Sequence, residues 1–144
     1  MIITEDGEMF NNTRKIITEK VKSNLLNEAV LLTKSQKDRL IKQFPKGSSF
    51  NQQVVAKIFG GSMTWYLMNM DPSDEDYIWC IVKNDSFQPP VVEAGSVLLS
   101  ELQSAKIPMN FAGRSFGLPL ERDRYFKPML ARDVWDRLNK GEHI

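Results

Sequence analysis

Apolar positions along the chain change period several times, and each change predicts an element. From about Thr13 to Ala29, Ile17, Val21 and Leu25 recur every fourth residue, and Leu26 widens the stripe. That is the spacing of an amphipathic helix. The residues before it, 1–12, are polar and read as a loose arm. Thr33 followed three residues later by Gln36 is a capping-box pattern, in which hydroxyl and amide satisfy free groups at a helix start. The helix it opens carries Leu40, Ile41 and Phe44 inward and stops before Pro45, with Gly47 as a further break.

The period then shortens. Val54 to Met68 holds two β-prone runs that meet at Gly60-Gly61-Ser62, where glycine supplies the positive φ of a tight hairpin. The first strand, about Gln53 to Phe59, has one wholly apolar side in Val54, Ala56 and Ile58. The second, Met63 to Met70, is apolar at nearly every residue, which predicts a central strand covered on both faces. Asp71-Pro72-Ser73-Asp74-Glu75-Asp76 is a turn, because Asp and Ser bond local backbone and Pro removes a donor. A third strand follows at Tyr77 to Lys83, then a loop from Asn84 to Pro90. The fourth strand runs from Val91 to Leu99, with Gly95 as a bulge or close-approach point.

Ser100-Glu101-Leu102-Gln103 repeats the capping-box pattern and opens a short helix that ends before Pro108. Residues 107–128 hold three prolines and two glycines, so extended or looping chain is expected there. A last helix, Ala131 to Asn139, buries Val134, Trp135 and Leu138 and stops at Gly141. The sum is an α+β fold, a mainly antiparallel sheet of about four to five strands flanked by short helices. Residues 1–30 form an arm and a helix packed on the domain, and 31–144 a single domain.

Composition narrows the class. With 144 residues, 42% hydrophobic and 26% charged, the chain fits one soluble globular domain. One cysteine, Cys80, allows no intramolecular disulfide and agrees with a reducing compartment. Residues 1–10 carry Glu5, Asp6 and Glu8 rather than the apolar run of a secretory signal. No stretch approaches the ~20 apolar residues that span a bilayer. A cytoplasmic protein with no membrane association is expected.

Net charge is only +1, yet it is unevenly spread. Residues 14–46 carry nine bases against three acids, a net of +6, while 47–105 carry two bases against seven acids. Lys20, Lys22, Lys37 and Lys42 in the basic third are candidate contacts for an acidic partner such as nucleic acid. The plainer account is a solvated, lysine-rich helix face.

Glu121-Arg122-Asp123-Arg124, with Lys127 close behind, is the densest charged cluster. In extended chain Glu121 and Asp123 share one face, and Arg122 and Arg124 the other. Two carboxylates side by side suit acid–base catalysis, with Lys127 as a third group, or the holding of a divalent ion. The alternative is a sheet edge pinned or blunted by ion pairs. Thr64 and Trp65 are candidates for a binding pocket, the indole offering a stacking surface and a donor. A tryptophan in a central strand also suits a core, as do Trp79 and Trp135.

Other chemistry is excluded. The acids of 71–76 lack the glycine that a calcium-binding helix–loop–helix needs at its sixth position, which is Asp76 here. His143 is the sole histidine, so zinc sites and histidine-based triads lack members. Gly60-Gly61-Ser62 has neither the spacing nor the lysine of a phosphate-binding loop. Cys80 between Trp79 and Ile81 reads as a buried, inert thiol. No metal and no cofactor are expected.

Several stretches together resemble one family. They are Leu31-Leu32-Thr33-Lys34, Thr64-Trp65 with Asp71-Pro72, and Gly95-Ser96-Val97 through Leu99-Ser100-Glu101-Leu102. The most distinctive is Gly117-Leu118-Pro119-Leu120-Glu121-Arg122-Asp123 followed by Tyr125-Phe126-Lys127-Pro128. Over roughly residues 31–130 the chain resembles DUF2958, bacterial proteins of unknown function. The resemblance implies a link to plasmids and other mobile elements and brings no activity with it. Residues 1–30 lie outside it, and the loop 84–90 departs from its pattern.

Two classes of function are therefore carried forward. One is a non-enzymatic interaction module that binds nucleic acid or protein, a homodimer included. The nucleic-acid form predicts affinity that falls with salt, and the protein form predicts an exposed apolar patch. The other is a carboxylate-dependent enzyme built on Glu121 and Asp123. A concave pocket holding unpaired carboxylates favours the enzyme, and a closed ion-pair ladder opposes it.

Overall fold

The computed structural model describes residues 30–144. The polar arm, the helix expected at 13–29, Lys20 and Lys22 lie outside the described residues. Leu31–Ile144 forms one compact unit.

Helix α1 spans Lys34–Lys42, and its start is the capping box read from the sequence. The Thr33 hydroxyl accepts from Gln36 N at 3.1 Å, and Gln36 Oε1 accepts from Thr33 N at 3.0 Å. A turn of 3₁₀ helix at Phe44–Lys46 carries Pro45 near its start. Two short strands follow, β1 at Gln53–Val54 and β2 at Ala56–Gly60. The single strand expected over 53–59 is thus broken at Val55, whose N–H donates to Leu67 O at 2.8 Å. The break puts Val54 in one core and Ala56 and Ile58 in the other, so the three do not share a side as expected.

Strands β3 (Met63–Met70), β4 (Tyr77–Asn84) and β5 (Val91–Leu98) continue from β2 as an antiparallel meander. Gly61, with φ of +57°, makes the β2–β3 turn possible. At the far edge β8, Glu121–Arg122, returns to pair with β2, so the five-stranded sheet has the order β5-β4-β3-β2-β8. Strand β9, Met129–Leu130, pairs with β1 in a separate two-stranded ladder.

Both faces of the sheet are covered, which explains why β3 is apolar throughout. On one face Leu67, Ile78, Cys80 and Ile58 meet Leu40 of α1 and Leu99 and Leu102 of α2, a helix at Leu99–Ser104. On the other, Tyr66, Met68 and Ile81 meet Val134 and Leu138 of α3, Ala131–Asn139. Trp135 closes that side by packing on Phe50, with ring centroids 5.1 Å apart. Cys80 is buried, and burial pushes its thiol up to about 12, so it is an inert core residue.

Two further expectations are corrected. Gly95 pairs in unbroken register with Cys80 and has open space where a Cβ would go, so it is neither bulge nor close approach. The register shift lies in β3 instead, between Leu67 and Asn69. Ser100 does not cap α2. Glu101 reaches back to Leu98 N at 3.1 Å, while Asp76 accepts from both Ser100 N (2.5 Å) and Ser100 Oγ (2.6 Å).

Residues 107–128 are extended and looping chain as expected, but the extended part is paired. Lys106–Phe111 (β6) and Arg114–Pro119 (β7) form a regular hairpin with the register Phe111↔Arg114 through Lys106↔Pro119. Its turn has positive φ at both Ala112 (53°) and Gly113 (77°), the two-residue form whose twist suits antiparallel strands. Counting out from Phe111↔Arg114, Pro108 and Pro119 fall on the pairs whose N–H groups point outward, so neither removes a ladder bond.

Candidate functional site

Helix α3 covers only part of its sheet face. The row of Tyr66 and Met68 is buried beneath it, but the next row toward the β2–β3 turn is open. Opposite residues of paired strands share a face, which sets Thr64, Phe59 and Glu121 side by side there. Lys57 and Asp123 lie one row below, with Asp123 N donating to Lys57 O at 2.9 Å. The result is an open cleft of about 460 Å³ whose charged lining is Lys57, Glu121, Arg122, Asp123 and Arg124.

The two carboxylates differ. Asp123 is 3.5 Å from Lys57 Nζ, and its Oδ1 accepts from Tyr125 N at 2.9 Å. Glu121 has no ion-pair or side-chain hydrogen-bond partner among the described residues. Lys57 Nζ also donates to Ile144 O at 2.7 Å, and Tyr66 Oη donates to the same oxygen at 3.0 Å. The Tyr66 phenol is pushed up to about 12, first by burial and then by the negative charges of Asp85 and Asp123. It is a hydrogen-bond donor at neutral pH.

The alternation expected of the segment 121–124 holds as far as Asp123: Glu121 pairs with Phe59 and Asp123 meets Lys57 on the cleft face, while Arg122 pairs with Ile58 of the other face. Regular pairing ends at Arg122, and the chain turns at Asp123, so Arg124 joins the acids in lining the cleft. Arg122 also reaches the opposite layer, donating to Leu31 O at 3.2 Å. Thr64 lines the cleft, whereas Trp65 points to the other face and packs on the first core. Lys127 is not among the cleft residues. Lys83, across from Thr64, was not anticipated: it is 4% exposed, with Nζ 3.4 Å from Asp85.

The described part of the basic third is α1 and the turn after it. Lys42, Arg39 and Lys46 line a second groove of about 360 Å³ together with Gln43 and Gln53. Arg39 is held there by Gln53 Oε1 at 3.1 Å, and Lys37 lies outside the groove. Among the described residues no group of three His, Cys, Asp or Glu side chains is gathered to hold a metal ion. No helix among them is long and apolar enough to cross a membrane.

Hairpin β6–β7 is the feature that sequence reasoning missed. Its register puts Ile107, Met109 and Phe111 on one face with Leu118, Phe116 and Arg114. Ile107 packs at the base, where a Cβ on Gly61 would be 3.4 Å from Ile107 Cδ1. Beyond it Met109, Phe116 and Leu118 are exposed, and Phe111 is 75% exposed. The signal was present as alternation at 107, 109 and 111 and again at 116 and 118, but three prolines between 107 and 128 hid it.

No curated protein and no solved structure matches the chain. A family model described as a protein of unknown function (DUF2958) matches residues 31–142, which takes in the whole sheet, the cleft and the hairpin. The chain belongs to the DUF2958 family.

Proposed function

We propose that the chain is a non-enzymatic binding module whose contact element is hairpin β6–β7. One observation carries this reading: the hairpin presents a continuous apolar face that the described residues leave open. A two-stranded ribbon is marginal in water unless its apolar side is covered. A contiguous exposed apolar patch is the usual mark of a docking surface. The bacterial and mobile-element setting implied by the family resemblance, and the cytoplasmic setting expected from composition, are part of the same proposal.

A photo-crosslinking amino acid at position 111, with one at exposed Asp133 on α3 as control, tests this in expressing cells. Discrete adducts from position 111 alone are the expected result, and an adduct of twice the chain mass identifies a second copy. The same smear from both positions, or no adduct from 111, sinks the reading.

A second reading keeps the carboxylate-dependent enzyme. It is favoured by Glu121 standing in the cleft without a partner, and opposed by the Asp123–Lys57 ion pair. Turnover of any substrate that Glu121→Gln abolishes while the fold is retained would carry it.

A further inference from the structure

We propose that hairpin β6–β7, continued by Arg124 and Tyr125, binds single-stranded nucleic acid; the proposal rests on the docking role given to the hairpin above. The segment 106–119 carries Lys106 and Arg114 and no acidic residue. Arg114 lies directly across from Phe111, at the outer end of the apolar face. Two phenylalanine rings, 75% and 45% exposed, therefore stand beside a guanidinium that has no acid to neutralise it.

The hairpin base meets the β2–β3 turn, which borders the cleft. Gly61, on which Ile107 packs, also lines the cleft, and so do Arg124 and the 92% exposed Tyr125. The side chains of Lys106, Arg114, Arg124 and Tyr125 make no ion pair or hydrogen bond among the described residues. Exposed rings with the unpaired Arg114 beside them match what an unpaired strand offers, namely base faces and phosphates. An apolar protein surface would cover the rings and leave the cations unneutralised. A duplex hides base faces and shows only edges, which phenylalanine has no donors or acceptors to read.

Fluorescence anisotropy of the full chain with a labelled homopyrimidine strand tests this across a salt series, with the matching duplex as competitor. Arg114 and Arg124 facing phosphates predict a log–log salt slope of about −1.4, Lys106 being on the opposite face of the hairpin. Phe111→Ala and Phe111→Leu both weaken binding about tenfold, because leucine restores apolar area but not a stacking face. Arg114→Glu weakens it further and flattens the slope. Both positions are exposed, so the fold is retained, and far-UV circular dichroism checks it.

Absence of single-strand binding at low salt overturns the proposal. Binding that Phe111→Leu leaves intact does so too, since it assigns the contact to the basic residues of 14–46 or to apolar docking. Equal competition by duplex has the same consequence. The crosslinks at position 111 separate the two levels. Adducts removed by protease but not by nuclease defeat the nucleic-acid partner and leave the docking role standing, whereas no adduct at all removes both.

Discussion

Ala112 holds a φ of 53°, a region that disfavours side chains with a Cβ by roughly 1–2 kcal/mol. It does so because the hairpin turn demands positive φ at both central positions, and only the second is glycine. Ala112→Asn creates the Asn-Gly pair this turn prefers and should stabilise the hairpin by about 0.5–1 kcal/mol. Amide exchange across 109–116 would slow accordingly, and exchange that is unchanged or faster would contradict the turn geometry. Gly117 is a different case. A Cβ there would lie 2.7 Å from Lys106 Cβ, so the lysine stem lies across the glycine on the hairpin's polar face. Residue identity at 112, 113 and 117 shapes the arm that carries Phe111 and Phe116.

At the scale of elements, local patterns were legible where the partners were local. Thr33 and Gln36 cap α1 as their spacing indicates, and Asp71 organises its turn by accepting from Ser73 N and Ser73 Oγ. Those bonds hold the Asp71 carboxyl below its ordinary value. The start of α2 is capped from outside, by Asp76 at the end of the preceding turn. No helix-start pattern reports a partner 24 residues away. Asp76→Ala should therefore cost about 1–2 kcal/mol in a urea melt, more than Ser100→Ala, which keeps the backbone bond. Equal losses would return the cap to Ser100. The hairpin was missed for a related reason. Proline reads as a strand breaker until register shows that both prolines occupy outward-facing positions.

The unit 31–144 is three layers, and one buried polar group ties its lead-in loop to the central strand. Asn69 on β3 is fully buried, and its Nδ2 donates to Gly47 O at 2.7 Å and to Gln52 Oε1 at 2.9 Å. Gln52 in turn donates to Gly47 O and Ser49 O. The loop 47–52 is thereby fixed before β1 crosses to pair with β9. Asn69→Ala strands acceptors in the interior and should destabilise the domain by about 1–3 kcal/mol, read as a lower urea midpoint at unchanged slope. A midpoint within error of the parent would show that the loop is held by packing alone.

Periodicity by itself determined the α+β class, the existence of strands β2 to β5, the capped α1 and the apolar side of α3. Each depends on neighbours a few residues apart. It also singled out 121–124 as a charged cluster and Thr64 as a strand residue of interest. Tertiary structure alone decided that α3 stops short of the β2–β3 turn, so these residues line a common cleft. It alone decided that Lys57 takes Asp123 as its partner and leaves Glu121 without one. The exposed face of β6–β7 belongs to the same class. An alternating apolar run predicts something to be buried, and only the packing of the other described elements shows which run they leave without a cover.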